Sequence, residues 1–91
     1  MNDIHHLKNL GPKSALMLQH AGITSLSQLK ALGAISAFLR VQDAGLKPSL
    51  NLLYALEGAL QGEHWQVVAK NMRAQLLIEL DAAIESRKTV N

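Results

Sequence analysis

Leu50-Asn51-Leu52-Leu53-Tyr54-Ala55-Leu56-Glu57-Gly58-Ala59-Leu60 is the stretch on which the fold turns. Its apolar residues fall on nearly every face of a helix, and a helix apolar all round is a buried one. It is the expected central helix, opened by Lys47-Pro48-Ser49 and ended by Gln61-Gly62. The rest of the chain must wrap it. Downstream, Trp65-Gln66-Val67-Val68 predicts a short element, and Asn71 is a good cap for a last helix. Met72, Leu76, Leu77, Leu80, Ala83 and Ile84 form one stripe of that helix, as an element packed on a core requires. Glu85 to Asn91 is polar and is expected to fray.

Upstream, Gly and Pro punctuate at short intervals. A first helix is expected over residues 4–9, broken by Leu10-Gly11-Pro12. Proline suits the first turn of the next helix, where its missing N–H would be unpaired anyway. That helix is expected to run to about Ala21 and stop at Gly22. Ser25-Leu26-Ser27-Gln28 reads as a capping box. It opens a helix ending at Leu32-Gly33, followed by another from Ala34 to Asp43 that stops at Gly45. Val, Ile and Thr are sparse and do not alternate with polar residues, so strands have no support. The expected fold class is all-α: one domain over residues 1–91, a single compact bundle of about five helices.

Composition narrows the function classes. The 91 residues are 48% hydrophobic but 3% aromatic, so Leu, Ala, Ile and Val must build the core. No cysteine is present, which excludes a disulfide scaffold and thiolate chemistry. No segment approaches the ~20 apolar residues of a membrane span. Met1-Asn2-Asp3-Ile4-His5-His6 lacks the basic and apolar regions of a signal peptide, and a cytoplasmic location is expected. The net charge of +2 and a pI near 9.2 are a mild basic bias, less than a dedicated nucleic-acid binder usually carries.

The sequence contains an internal echo. Leu7-Lys8-Asn9-Leu10-Gly11-Pro12-Lys13-Ser14-Ala15 is answered by Leu29-Lys30-Ala31-Leu32-Gly33-Ala34-Ile35-Ser36-Ala37. Both copies lie where one helix is expected to stop at Gly and the next to begin. Gly tolerates positive φ and close backbone approach. A helix starting at once behind it presents free N–H groups and the positive end of its dipole, which favour an anion such as phosphate. Leu10-Gly11-Pro12-Lys13-Ser14-Ala15, with Ala21-Gly22-Ile23, resembles a helix-hairpin-helix motif, which grips the DNA backbone without reading bases. The resemblance makes Lys8, Gly11, Lys13 and Ser14 the candidate backbone contacts, with Lys30 answering Lys8 in the second copy. Asn9 stands where the motif usually has a further Gly. In the second copy Ala31 takes that place and Ile35 replaces Lys13. The bland reading, that the turns merely join packed helices, stands level with the functional one at the first turn and is favoured at the second.

The order of motifs is more particular. The Leu7–Ser14 segment, Ala21-Gly22-Ile23, Leu32-Gly33-Ala34, Ser49–Leu60 and then His64-Trp65 are similar to the C-terminal domain of TfoX (Sxy)-type proteins, over roughly Leu7 to Leu80. The resemblance implies a bacterial cytoplasmic regulator of natural competence, a coactivator of DNA-uptake genes beside a cyclic-AMP-dependent activator, and no enzyme. Full-length members also carry an N-terminal domain, which would make this chain a domain or a stand-alone relative. The partners to expect are duplex DNA, bound nonspecifically, or a transcription activator or other protein domain; no membrane and no cofactor are expected. The alternative is a protein-interaction or self-association module that binds no DNA. Ile78, off the apolar stripe of the last helix, supports it.

Other constellations carry less. His5, His6, His20 and His64 include no pair at helical ligand spacing, so no metal site is expected. Glu57 and His64 have no nucleophile, phosphate loop or second carboxylate beside them, which leaves acid–base chemistry unsupported. Tyr54 and Trp65 read as core rather than as base-stacking platforms. Glu57 stands in an otherwise apolar helix, so it is expected to need a partner. The candidates are Arg73, near the inner stripe of the last helix, and the N–H groups around Gly62 to Trp65.

Overall fold

A computed structural model describes Leu7 and residues 9 to 89. The chain order is α1 (Pro12–His20), α2 (Leu26–Asp43), α3 (Leu50–Gln61), α4 (Trp65–Asn71) and α5 (Arg73–Thr89). No strand occurs among the described residues, and the fold is an all-α bundle. The helix expected over residues 4–9 lies mostly outside the described residues. Its described members, Leu7 and Asn9, are not helical: Leu10 N–H closes a turn on the Leu7 carbonyl at 3.2 Å.

Glycine sets two of the helix ends in the same way. After α1, Gly22 takes φ 82, Gly22 N–H bonds the Gln19 carbonyl and Ile23 N–H bonds the Leu18 carbonyl at 2.8 Å. This is a Schellman ending, and its usual apolar contact is made by Leu18 and Ile23, both fully buried. After α2, Gly45 at φ 89 repeats it, with Leu46 N–H on the Val41 carbonyl at 3.3 Å. The expected capping box is present: Ser25 Oγ accepts from Gln28 N–H at 3.2 Å and Gln28 Oε1 accepts from Ser25 N–H at 3.1 Å. The two helices expected on either side of Gly33 are present, following one another so closely that they are numbered together as α2; Gly33, with non-helical φ 79 and ψ 167, parts them. Downstream, the short element extends to Asn71, and Met72 rather than Asn71 separates it from α5.

Every residue from Leu52 to Leu56 is buried, as a helix apolar all round must be. Around α3 lie Ala15 and Leu18 of α1, Leu29, Ala37, Phe38 and Val41 of α2, Val68 of α4, and Leu76 and Leu80 of α5. Each such large side chain contributes about 1.5–3 kcal/mol by leaving water. The radius of gyration, 12.5 Å, matches the ~12 Å of a compact chain this long. The α5 stripe holds, with Ala83 and Ile84 partly buried on the core, while Ile78 on the outer face is 69% exposed. No helix among the described residues is long and apolar enough to cross a membrane.

Candidate functional site

The first turn is built around Asn9. Its φ is 73, left-handed backbone that few residues other than Gly adopt and that Asn tolerates best. Two hydrogen bonds hold it there. Asn9 Nδ2 donates to the Glu63 carbonyl at 2.7 Å, and Trp65 N–H donates to Asn9 Oδ1 at 3.0 Å. One amide thus straps the turn before α1 to the α3–α4 loop and the first residue of α4. Gly58 makes room for the strap: a Cβ there would lie 2.5 Å from both Asn9 Nδ2 and the Glu63 carbonyl oxygen. His64 completes the loop as N-cap of α4, its Nδ1 accepting from Gln66 N–H at 3.1 Å, and its ring stacks on Trp65 with centroids 6.0 Å apart.

Gly11 follows as the N-cap of α1, with Pro12 in the first turn, and no side chain caps this helix. Gly11, Pro12 and Lys13 are exposed, and Ser14 is half-buried. Lys13 and Ser14 line an open cleft of about 310 Å³ with Asn9, Trp65, and Ser49 and Asn51 at the start of α3. The N-cap of α3, Ser49, also makes no side-chain capping bond. The uncapped first turns of two helices therefore border one cleft. Their free N–H groups and dipole ends favour an anion there, and the Lys13 ammonium adds to the field.

The second turn does not match the first. Gly33 itself takes the positive φ and parts the two helical stretches of α2 with no loop between them, and Ala31, opposite Asn9 in the echo, is helical. Lys30 is exposed on α2 but does not line the α1–α3 cleft. Lys8 lies outside the described residues. The structure thus gathers Gly11, Lys13 and Ser14 at one place and leaves Lys30 apart. Gly11 itself is a correction. The echo places Gly, which tolerates positive φ, at both turns, yet Gly11 has φ −89 and the left-handed residue of the first turn is Asn9.

Sequence and structure comparisons bear on this geometry. Residues 1–80 match the family described as the TfoX C-terminal domain. The chain belongs to that family. Among curated proteins, the DNA transformation protein TfoX of Haemophilus influenzae is 28% identical over 81 residues. That match takes in 89% of this chain and 37% of the relative, so this TfoX C-terminal domain spans little more than a third of the relative's length. Among solved structures, the crystal structure of an uncharacterized protein from Listeria monocytogenes superposes with a TM-score of 0.73 at 34% identity. The superposition covers 80% of this chain and 83% of that one.

Within this TfoX C-terminal domain, the expected role of Glu57 needs correcting. Its carboxylate is half-buried and bonds the Gln61 side-chain amide one turn on, not Arg73. Arg73 is exposed at the start of α5 with no carboxylate paired to it among the described residues. The loop N–H groups proposed as the other partner are taken as well: Trp65 N–H by Asn9, Glu63 N–H by the Gly58 carbonyl at 2.8 Å. Glu57 escapes burial because α3 is not sealed on that side. Asn9 and Gly58, the residues that do lock the loop, were missed as a pair. The signal was there for Asn9, which stands where a helix-hairpin-helix turn carries Gly. No local pattern announces a contact across 54 residues. Tyr54 is buried and Trp65 is half-buried against the core, in line with their reading as packing residues. Among the described residues no group of three His, Asp or Glu could hold a metal; His5 and His6 lie outside them.

Proposed function

We propose that this chain is a non-enzymatic regulatory binding domain for DNA transformation that holds the backbone of duplex DNA at the Gly11 turn. The observation that carries the reading is the exposed, uncapped start of α1, with Lys13 and Ser14 beside the equally uncapped start of α3. Membership of the TfoX C-terminal domain family, and the name of the Haemophilus influenzae relative, support the transformation role. In this reading a phosphate sits at the α1 N-terminus, Lys13 supplies the charge, and Ser14 supplies a hydroxyl donor. The contact carries no base specificity, because backbone N–H groups and a lysine meet only phosphate.

The test is a fluorescence-anisotropy titration of the chain against a mixed-sequence duplex at several salt concentrations. Affinity should fall as salt rises, and Lys13→Ala should weaken binding and flatten the log–log slope by about one. Salt-independent binding, or none at low salt, removes the reading. A second reading, a protein-interaction module, draws on the 69% exposure of Ile78 on the outer face of α5. It predicts a partner that protects Ile78 and an unchanged Lys13→Ala variant.

A further inference from the structure

A second surface shares no residue with the Gly11 cleft. Three open clefts of about 240, 270 and 380 Å³ follow one another along α2. Leu32 and Arg40 line the first and second; Leu39 and Arg87 line the second and third. They therefore form one trough, from the kink region of α2 to the C-terminal end of α5. From Ala34 to Asp43 the helix rises about 14 Å, between two and three turns.

The trough has a definite chemistry. Its apolar floor is Leu32, Leu39 and Ile84, of which Leu32 and Ile84 are only partly buried. Its rim carries the cations Arg40, Arg87 and Lys88. The one carboxylate among the lining residues, Asp43, is already bonded to Arg87 at 2.7 Å. No carboxylate among the described residues pairs with Arg40, and Lys88 meets only the exposed Glu85, at 3.6 Å. A loose surface pair of that kind is weak and readily exchanged. The trough thus presents apolar area edged by positive charge that the chain itself leaves largely unanswered.

We propose that this trough docks an acidic amphipathic helical segment of a partner protein, its apolar side on Leu32, Leu39 and Ile84 and its carboxylates on Arg40 and Lys88. Charge complementarity selects the occupant. A basic helix would be repelled by the rim, and a nucleic-acid backbone would leave the apolar floor uncovered. The inference goes beyond the DNA-binding reading, since it uses other residues and another ligand class.

The experiment uses the full 91-residue chain and a fluorescein-labelled helical peptide of about 15 residues, with Leu on one face and Glu on both flanks. Its controls are the peptide with Lys for Glu and a scrambled peptide. The Glu peptide should bind and shift the amide NMR signals of Leu32, Leu39 and Ile84. The double variant Arg40→Glu/Lys88→Glu, both sites being exposed, should bind it about tenfold more weakly and should gain affinity for the Lys peptide. Lys13→Ala should leave peptide affinity unchanged, so this inference and the DNA reading can fail separately. The proposal is overturned if the scrambled peptide binds as well, or if the shifts map elsewhere. It is equally overturned if the double variant, folded by circular dichroism, keeps its affinity, or if that variant loses duplex binding instead.

Discussion

The turns at Gly11 and Gly33 share the letters Leu-Lys-x-Leu-Gly-x-x-Ser-Ala, yet the chain takes different routes through them. In the first, the left-handed residue is Asn9, the glycine is an extended N-cap, and a new helix opens toward solvent. In the second, Gly33 itself takes the positive φ, and one helical stretch follows the other directly with no loop between them. The cause is not in the shared letters. Asn9 is held by Glu63, in the α3–α4 loop, and by Trp65, the first residue of α4, whereas Ala31 has no side-chain amide to be held by. A repeated pattern therefore tells where a turn can occur, and a distant partner decides which turn it becomes. That is why only the first copy borders the cleft lined by Lys13 and Ser14.

The comparison breaks most readily at Gly58. Gly58→Ala places a methyl group on the strap and on the Glu63 carbonyl, a backbone atom that cannot swing aside. It should lower stability by about 3 kcal/mol, read from the urea midpoint. An unchanged midpoint would mean that the strap is not tight in solution. Asn9 comes next. Asn9→Ala loses two hydrogen bonds and keeps the unfavourable φ, which should cost about 2–3 kcal/mol. Asn9→Gly keeps the left-handed route and loses only the bonds, so it should cost about 1 kcal/mol less than the alanine. Equal losses for the two variants would show that φ is unimportant there.

The glycines sharpen the contrast at smaller scale. Gly33→Ala, at φ 79, should cost about 1 kcal/mol or more. Gly11→Ala, at φ −89 with open space around it, should cost about half that, by thermal unfolding of both variants side by side. A reversed order would contradict the two routes. The smallest effect is expected at Glu57. With only Gln61 as partner, Glu57→Ala should cost about 0.5 kcal/mol, far from the loss that a stranded buried arginine would produce. A loss several times larger would restore a structural role to this carboxylate and weaken the claim that Asn9 holds the loop.

What could be read from the sequence was local. The buried α3, the capping box at Ser25 and the Gly stops at Gly22, Gly45 and Gly62 each depend on a few neighbouring residues, and all appear where expected. The division of the chain at Gly33 falls where expected, at a residue whose φ and ψ are non-helical. The candidate contacts Lys13 and Ser14 come together because they are adjacent on one helix start. The losses were non-local. Glu57 was assigned a partner by face and spacing, but whether a neighbour seals that face is a matter of packing. The trough along α2 needs Leu39 and Ile84, 45 positions apart, to meet, and no periodicity encodes that.

The Asn9 strap also imposes an order in time. Its two bonds join residues separated by 54 and 56 positions, while the Schellman ends and the capping box close among near neighbours. On the ribosome Asn9 emerges before Glu63 and Trp65 and must wait for them. At 5–20 residues per second that delay is roughly 3–11 s. During it α1 and α2 can form, but Asn9 has no fixed partner. The open end of α1 thus takes its final shape only once most of the domain has been synthesised, so a chain truncated before Trp65 would carry the motif's letters without its geometry.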